Sequence, residues 1–239
     1  MNQTGGRTRS KDEEKRTMKR TTVVAFDLLN TLVEIARPNP LFEIKKEFRI
    51  QSEEMDFVFM FENAMMKRSF DSLELLFTEF CKPFGIDPTE SNIGRMIEIW
   101  KMGLDGMRFF PEVPGVLSKL KGMDLRMALL SNIDSSSYKY ILERFGLQEH
   151  FDLMLPSYET HYLKPHPMAF SNIMLNMQTP PGQIVMVGDT FESDIKMAKT
   201  LEMNAVLVDR DSRNKDEDII SIQNLEELID LLAKEQPKS

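Results

Sequence analysis

The stretch TVVAFDLLNTLV, residues 22–33, predicts how the chain folds. Its first five residues are apolar or β-branched, as is typical of a strand that is buried on both faces of a sheet. Asp27 ends this run with a carboxylate, and Leu29 follows two residues later, where a second polar group is expected. Ligands of open parallel sheets bind outside the carboxyl ends of the strands, so Asp27 is a candidate site residue.

Similar short apolar runs recur along the chain. They lie at 125–130, 184–188 and 204–209, with a weaker run at 151–155. Helical patterns follow or separate them, at 111–122, 135–147, 167–177, 192–203 and 222–235. This alternation predicts the α/β class, with a doubly wound, Rossmann-like parallel sheet that is covered by helices on both faces.

Residues 39–108 interrupt the alternation, because they contain no convincing strand and have the pattern of about four helices. This block follows the first strand and returns before the second, so it is predicted to be an inserted helical cap above the carboxyl end of the sheet. The expected organisation is a disordered basic head at 1–20, a catalytic core formed by 21–36 and 109–239, and a helical cap at 37–108.

Composition excludes several classes of function. The 239 residues carry a formal net charge of −8, which becomes −12 without the basic head. Because the chain without its head is this acidic, it repels the phosphate backbone of nucleic acids, and we expect no nucleic-acid partner. No apolar run approaches the roughly 20 residues of a membrane span, and no charged-then-apolar secretory leader opens the chain. We therefore expect a cytoplasmic protein without a membrane contact, and the sequence leaves the oligomeric state open.

Polar residues follow the other predicted strands as well. Ser131 and Asn132 follow the second strand, and Asp189 follows the third, with Asp194 five residues later. Lys164 lies in HYLKPHP, on a loop before a helix. Taken singly, each residue has an ordinary explanation as a cap or turn residue. Taken together they are expected to converge with the first carboxylate, because the carboxyl ends of parallel strands share one edge.

Such a set has a definite chemistry. Two neighbouring carboxylates repel each other unless a cation lies between them. Oxygen ligands suit Mg²⁺, which binds one or two carboxylates, waters and a substrate phosphate. Ser131 and the following backbone N–H groups can hold an anion, and Lys164 adds a positive charge. These features favour displacement at a phosphoryl group through an aspartyl-phosphate on Asp27.

Four segments carry a resemblance to a known family. FDLLNTLV, ALLSN, LKPHP and VGDTFESD resemble, in order and approximate spacing, the four motifs of the haloacid dehalogenase (HAD) superfamily of hydrolases. The similarity spans about residues 21–210 and includes the cap inserted after the first motif. The resemblance implies a hydrolase that acts on a small phosphorylated or otherwise anionic metabolite and uses Mg²⁺.

The resemblance also implies roles for individual residues. Asp27 is implied to be the nucleophile and Lys164 a catalytic residue that also damps repulsion among the carboxylates. The implied metal ligands are Asp27, the backbone carbonyl of Leu29, and Asp189, and Asp194 is implied to support them. The residues implied to bind the substrate are Thr31, Ser131, Asn132 and Lys164.

Leu29 departs from the family pattern. Phosphatases of the family usually carry a second Asp at this place, which protonates the leaving alcohol and then activates water. A Leu side chain can do neither, and general acid–base help is worth about 10²–10⁴ in rate. By position alone, Glu34, His161 and His166 are candidates to replace it.

Three functions therefore remain open. The first is Mg²⁺-dependent hydrolysis of phosphate monoesters, impaired or atypical and better with good leaving groups. The second is carbon–halogen hydrolysis, since the dehalogenases also lack the second Asp. Those enzymes do not depend on a metal, however, and they lose the Asp that Asp189 retains here. They also use an Arg early in the cap, whereas residues 50–66 contain no Lys or Arg, although Arg37 and Arg49 lie before them. The third is a non-catalytic protein that binds metal or phosphate. Retention of the metal motif favours the first.

Overall fold

The computed structural model describes residues 21–234, so the expected basic head lies outside the described residues. The strands, in chain order, are β1 (Val23–Phe26), β2 (Val33–Glu34), β3 (Arg108–Phe109), β4 (Arg126–Ser131), β5 (Leu153–Pro156), β6 (Ile184–Gly188), β7 (Asn204–Val208) and β8 (Ser221–Ile222). Six of them form a parallel sheet in the order β5-β4-β1-β6-β7-β8, and β2 pairs with β3 in a separate antiparallel ribbon. The predicted doubly wound sheet is confirmed, with β1 at its centre.

Ten α-helices are described. They are α1 (Pro40–Glu47), α2 (Glu54–Met65), α3 (Leu73–Phe84), α4 (Glu90–Gly106), α5 (Val113–Gly122), α6 (Ser135–Phe145), α7 (Ser157–Thr160), α8 (Pro167–Met177), α9 (Lys196–Thr200) and α10 (Glu226–Ala233). A π-helical turn, Phe191–Ile195, precedes α9. None of the described helices combines the length and the apolar character that crossing a membrane requires.

Alternate residues of the central strands explain the layering. In β1, Val24 and Phe26 pack into one apolar cluster with residues of α5, α6 and α10, whereas Val23 and Ala25 pack into another with residues of α8 and α9. Because successive side chains of a strand point to opposite faces, a strand without polar residues must be covered on both sides. This burial places Asp27 at the point where the central strand leaves the core.

Four helices lie between the two strands of the small ribbon, as the sequence predicts. Side-chain caps begin three of them: Asn39 accepts from the backbone N–H of Leu41, Ser72 from Leu75, and Thr89 from Asn92. Their common core is aromatic. Phe80 lies at its centre, with ring centroids 4.7 to 6.4 Å from those of four other Phe residues (Phe57, Phe61, Phe77 and Phe84). These five Phe residues therefore act mainly in packing.

Three details differ from the sequence prediction. The β2–β3 ribbon was not predicted, because two-residue strands have no periodicity to detect. The helix predicted at 192–203 is a π-helical turn followed by the short α9. The helix predicted at 222–235 begins only at Glu226, since Ser221 and Ile222 form the edge strand β8.

We predict that Phe80→Ala lowers the free energy of unfolding by about 3–5 kcal/mol, because truncating a buried Phe leaves a cavity that its neighbours cannot fill. Phe59→Ala on α2 is the matched control: its ring is 67% exposed, and the expected change is within about 0.5 kcal/mol. Urea denaturation followed by far-UV circular dichroism measures both. Similar losses in the two variants would contradict the packing described here.

Candidate active site

Lys164 joins two of the predicted carboxylates. Its Nζ atom donates to Oδ1 of Asp27 over 2.5 Å and to Oδ1 of Asp194 over 2.7 Å, and all three side chains are buried. The hydroxyl of Thr31 donates to the other oxygen of Asp27 over 3.2 Å. Four residues from three separate segments thus form one hydrogen-bonded unit at the carboxyl edge of the sheet.

Asp189 completes an acidic cluster beside this unit. Carboxylate oxygens of Asp27, Asp189 and Asp194 all lie within 4.8 Å of one another. One ammonium group faces three carboxylates, so the cluster carries an excess of negative charge. Hard oxygen donors in such an arrangement fit a divalent cation such as Mg²⁺.

The position of Asp194 depends on a glycine. Oδ2 of Asp194 accepts a hydrogen bond from the backbone N–H of Thr190 over 3.1 Å. This bond holds the Asp194 carboxylate across the end of β6. A Cβ atom added to Gly188 would lie 2.5 Å from the Asp194 Cγ atom. Only a residue without a side chain therefore allows the carboxylate to approach the strand end and reach Lys164.

The electrostatics of the cluster follow from burial and from the shortage of positive charge. Burial raises the pKa of Asp27 to about 6, although Lys164 acts in the opposite direction. Burial, with the charges of Asp27 and Asp194, raises the pKa of Asp189 to about 7. Burial disfavours the ammonium form of Lys164, but the two carboxylates outweigh it and raise its pKa above the ordinary value. Lys164 therefore stays cationic at neutral pH.

Ser131, the last residue of β4, and Asn132, which follows it, have different roles in the site. The hydroxyl of Ser131 is buried and has no hydrogen-bond partner among residues 21–234, so it is available to an anion. Asn132 instead contacts the backbone of Lys164: its Oδ1 accepts from the Lys164 N–H over 2.7 Å, and its Nδ2 donates to the Lys164 carbonyl over 3.0 Å. Asn132 thus holds the lysine loop in place.

The sequence model of a protein family described as haloacid dehalogenase-like hydrolase matches residues 26–208. The chain belongs to this family. It is similar to ribulose-1,5-bisphosphate 5-phosphatase of Halopiger xanaduensis, with 31% identity over 110 residues, which are 46% of this chain and 46% of that protein. It is also similar to phosphoserine phosphatase of Thermus thermophilus, with 33% identity over 107 residues, 45% of this chain and 43% of that protein. The matched segments span about half the length of these curated relatives or less.

A solved structure shares the fold. The crystal structure of a HAD phosphatase from Thermococcus onnurineus has a TM-score of 0.63 and 21% sequence identity, covering 91% of this chain and 100% of that one. The position of the cluster follows from that fold. Because β1, β4 and β6 are neighbours in the sheet, the residues at their carboxyl ends lie close together.

The loop after Asp27 is tightly held. Asn30 has a left-handed backbone with φ of 59°, and its N–H donates to the carbonyl of Val33 over 2.7 Å. Arg210, which follows β7, donates to the carbonyl of Thr31 over 3.0 Å and stacks on the ring of Phe110. No sequence signal predicts this contact, since Arg210 is one of many charged residues in its segment.

A cavity of about 260 Å³ lies between the cluster and the inserted helices. Leu29 lines it together with Asp27 and Asp189, and most of the opposite wall is apolar. The residues from the inserted block that line it are Asn39, Pro40, Leu41, Phe42, Val58, Phe61, Glu62, Met66, Trp100 and Met107. Of the described residues around this cavity, Lys164 alone carries a positive charge.

Glu62 and Asp134 line the same cavity and were missed by sequence reasoning. Asp134 caps α6, since its Oδ1 accepts from the N–H groups of Ser136 and Ser137. Glu62 lies on α2, where its Oε1 is 3.4 Å from Nδ2 of Asn132. The only signal in the sequence was the helical spacing of Glu62 from apolar neighbours. That spacing does not show whether the side chain faces a cavity or solvent.

The candidates suggested by position to replace the missing acid lie elsewhere. Glu34 pairs with Arg108 across the ribbon, the ring of His161 contacts the carbonyl of Lys67, and His166 caps α8. None of these three described side chains lines the cavity.

We predict that Gly188→Ala lowers the free energy of unfolding by about 1–3 kcal/mol, because the new methyl group displaces the Asp194 carboxylate. Gly115→Ala is the matched control: its new methyl group would meet nothing within 4 Å, and in α5 it is expected to raise stability by up to about 1 kcal/mol. Opposite signs in chemical denaturation support the close approach at Gly188, and equal effects would refute it.

Proposed function

We propose that the chain is a Mg²⁺-dependent phosphate monoester hydrolase that forms an aspartyl-phosphate on Asp27. The observation that carries this proposal is the unit made by Asp27, Lys164 and Asp194, with Asp189 beside it and the unpartnered Ser131 hydroxyl nearby. Two curated relatives, named as phosphatases, support the same reaction class.

The residues divide the work as follows. Asp27, with a pKa of about 6, is mostly a carboxylate at neutral pH and attacks the phosphorus. Lys164 and the hydroxyl of Ser131 bind the phosphoryl oxygens, on which negative charge develops, while the Thr31 hydroxyl, which donates to Asp27, orients the nucleophile. Asp194 keeps Lys164 oriented through its 2.7 Å contact.

The metal is assigned to three groups: the carboxylates of Asp27 and Asp189 and the backbone carbonyl of Leu29. Replacement of the usual Asp by Leu leaves that carbonyl in place. A bound Mg²⁺ would neutralise charge on the transferred phosphoryl group and screen the carboxylates from each other. The excess negative charge of the cluster supports this assignment.

The cavity favours a small substrate whose leaving group is apolar and carries no negative charge. Its wall is largely apolar, and Lys164 is already occupied by two carboxylates. A second phosphate or carboxylate would find no cation there among the described residues.

The same cavity argues against carbon–halogen hydrolysis. A halide needs a cationic cradle, yet Arg37 and Arg49, which precede the cap helices α2 to α4, are exposed and do not line the cavity. Phosphoryl transfer, in contrast, uses the groups that are present.

We predict that the protein hydrolyses p-nitrophenyl phosphate with Mg²⁺ and that Asp27→Asn reduces kcat by on the order of 10³ or more, because the nucleophile is lost. Asp56→Asn, an exposed carboxylate on α2, is the control and should keep full activity. Release of p-nitrophenol measures the rate. Metal-independent halide release from a 2-haloacid would replace the proposal, and binding of phosphate without turnover would indicate a non-catalytic protein.

We also predict that the sign of the stability difference between the wild type and Asp189→Asn depends on Mg²⁺. With a chelator the variant is expected to be more stable, because one of three crowded carboxylates is gone. Millimolar Mg²⁺ should raise the melting temperature of the wild type by several degrees and that of the variant much less, since a ligand stabilises the state that binds it.

Differential scanning calorimetry at constant ionic strength, with NaCl replacing MgCl₂ in the reference, isolates the specific effect of the metal. An equal Mg²⁺ shift in both proteins would remove Asp189 from the proposed metal site.

A further inference from the structure

One face of α2 lines the cavity. Val58, Phe61 and Glu62 of α2 are spaced so that they share this face, and Met66 directly follows the helix on the same side; all four border the cavity. Phe61 fixes the helix, because its ring packs against Trp100 with the centroids 5.6 Å apart. The face therefore presents three apolar side chains and one carboxyl group toward the nucleophile.

The carboxyl group of Glu62 is connected to the catalytic unit. Asn132 donates to it over 3.4 Å and also holds both backbone polar groups of Lys164. Glu62 is half-buried, and burial raises its pKa above the ordinary value; the contact with Asn132 and the charge of Lys164 act against this shift, and the charges of Asp27 and Asp194 add to it. A carboxyl group in this setting is disposed to carry a proton.

The other carboxyl groups around the cavity have different tasks. Asp27, Asp189 and Asp194 belong to the acidic cluster. Asp134 is 1% exposed and one of its oxygens caps α6. Among the described carboxyl groups that line the cavity, Glu62 remains for the leaving-group side, and it lines the same cavity as Leu29.

We propose that Glu62 is the general acid and base of the reaction, taking over from the inserted helix α2 the task of the carboxylate that Leu29 replaces. This inference rests on the phosphate monoester hydrolysis proposed above.

The two half-reactions balance with one proton on Glu62. In the first, an Asp27 oxygen bonds to phosphorus, the bond from phosphorus to the leaving oxygen breaks, and the Glu62 proton moves to that oxygen to give the alcohol. In the second, the Glu62 carboxylate takes a proton from water, the water oxygen bonds to phosphorus, and the bond from phosphorus to Asp27 breaks. Inorganic phosphate leaves, and both carboxyl groups return to their initial state.

The test compares leaving groups. Full-length protein with Mg²⁺ is assayed on a series from p-nitrophenyl phosphate to simple alkyl phosphates, and kcat/KM is plotted against the pKa of the leaving alcohol. In Glu62→Gln we expect a loss of about 10²–10⁴ on alkyl phosphates and of less than about tenfold on p-nitrophenyl phosphate, whose anion leaves without a proton. Glu54→Gln, an exposed acid on the same helix, should leave the profile unchanged.

A purely structural role would give a different pattern. If Glu62 only oriented Asn132, its loss would slow all substrates by one common factor, and that result would overturn the inference. A steeper dependence in Asp134→Asn than in Glu62→Gln would overturn it as well and transfer the role to Asp134.

Leu29→Asp supplies an independent test that does not rely on the folding of Glu62→Gln. In the wild type it should raise alkyl phosphate hydrolysis by less than about tenfold, because an acid is already present, whereas in Glu62→Gln it should restore most of the lost rate. A gain of about 10²-fold or more in the wild type would show that the acid was missing and would overturn the inference. Absence of any turnover in the unchanged protein overturns this inference together with the proposed function, whereas turnover without the leaving-group effect overturns this inference alone.

Discussion

The contact of one ammonium group with two buried carboxylates sets the conditions for the whole site. Lys164 contacts Asp27 at 2.5 Å and Asp194 at 2.7 Å where water is excluded. Removing such charges from water is costly unless each keeps close partners, so the surrounding structure must hold them firmly. Asn132 fixes the lysine backbone from both sides, and Gly188 leaves the space that the Asp194 carboxylate occupies. The backbone at Lys164 and at Gly188 is thus adapted to the charged contact as much as to packing.

The sheet and its charged edge could be predicted from the sequence for a simple reason. Continuous apolar runs identify buried parallel strands, and parallel strands bring their carboxyl ends to one edge. Asp27, Asp189 and Lys164 therefore converge as expected without any knowledge of tertiary contacts. The segment at 192–203 was predicted only in part. Its residues are helical, but the first turn is a π-helical turn that brings Asp194 back toward Gly188. The helical pattern of the sequence does not show this turn, which lets Asp194 contact the Lys164 ammonium group.

The contribution of the inserted helices could not be predicted. Periodicity shows which residues of α2 share a face, but it cannot show whether that face meets the sheet, a neighbouring helix or a cavity. Glu62 has the same local pattern as a solvated acid at the border of an apolar stripe. Its proposed role rests on contacts between elements: Phe61 packs on Trp100, and Glu62 lines the same cavity as Asp27. Asn132 is a similar case, since its position after β4 was predictable but the direction of its amide was not.

Leu29 and Glu62 then become two parts of one arrangement. With an acid two residues after the nucleophile, the whole proton-transfer apparatus would lie on the sheet edge and would be complete without the inserted helices. With Leu at that place, the mechanism proposed above draws its nucleophile, its lysine and its metal ligands from the sheet edge and its proton donor from α2. Proton transfer then requires α2 to remain against the core, where Trp100 of α4 donates to the Ser137 hydroxyl of α6 over 3.0 Å. A substrate that fills the apolar cavity would bury surface on α2 and on the sheet edge, so the proposed substrate binding and the proposed proton transfer both depend on the packing of α2 against the core.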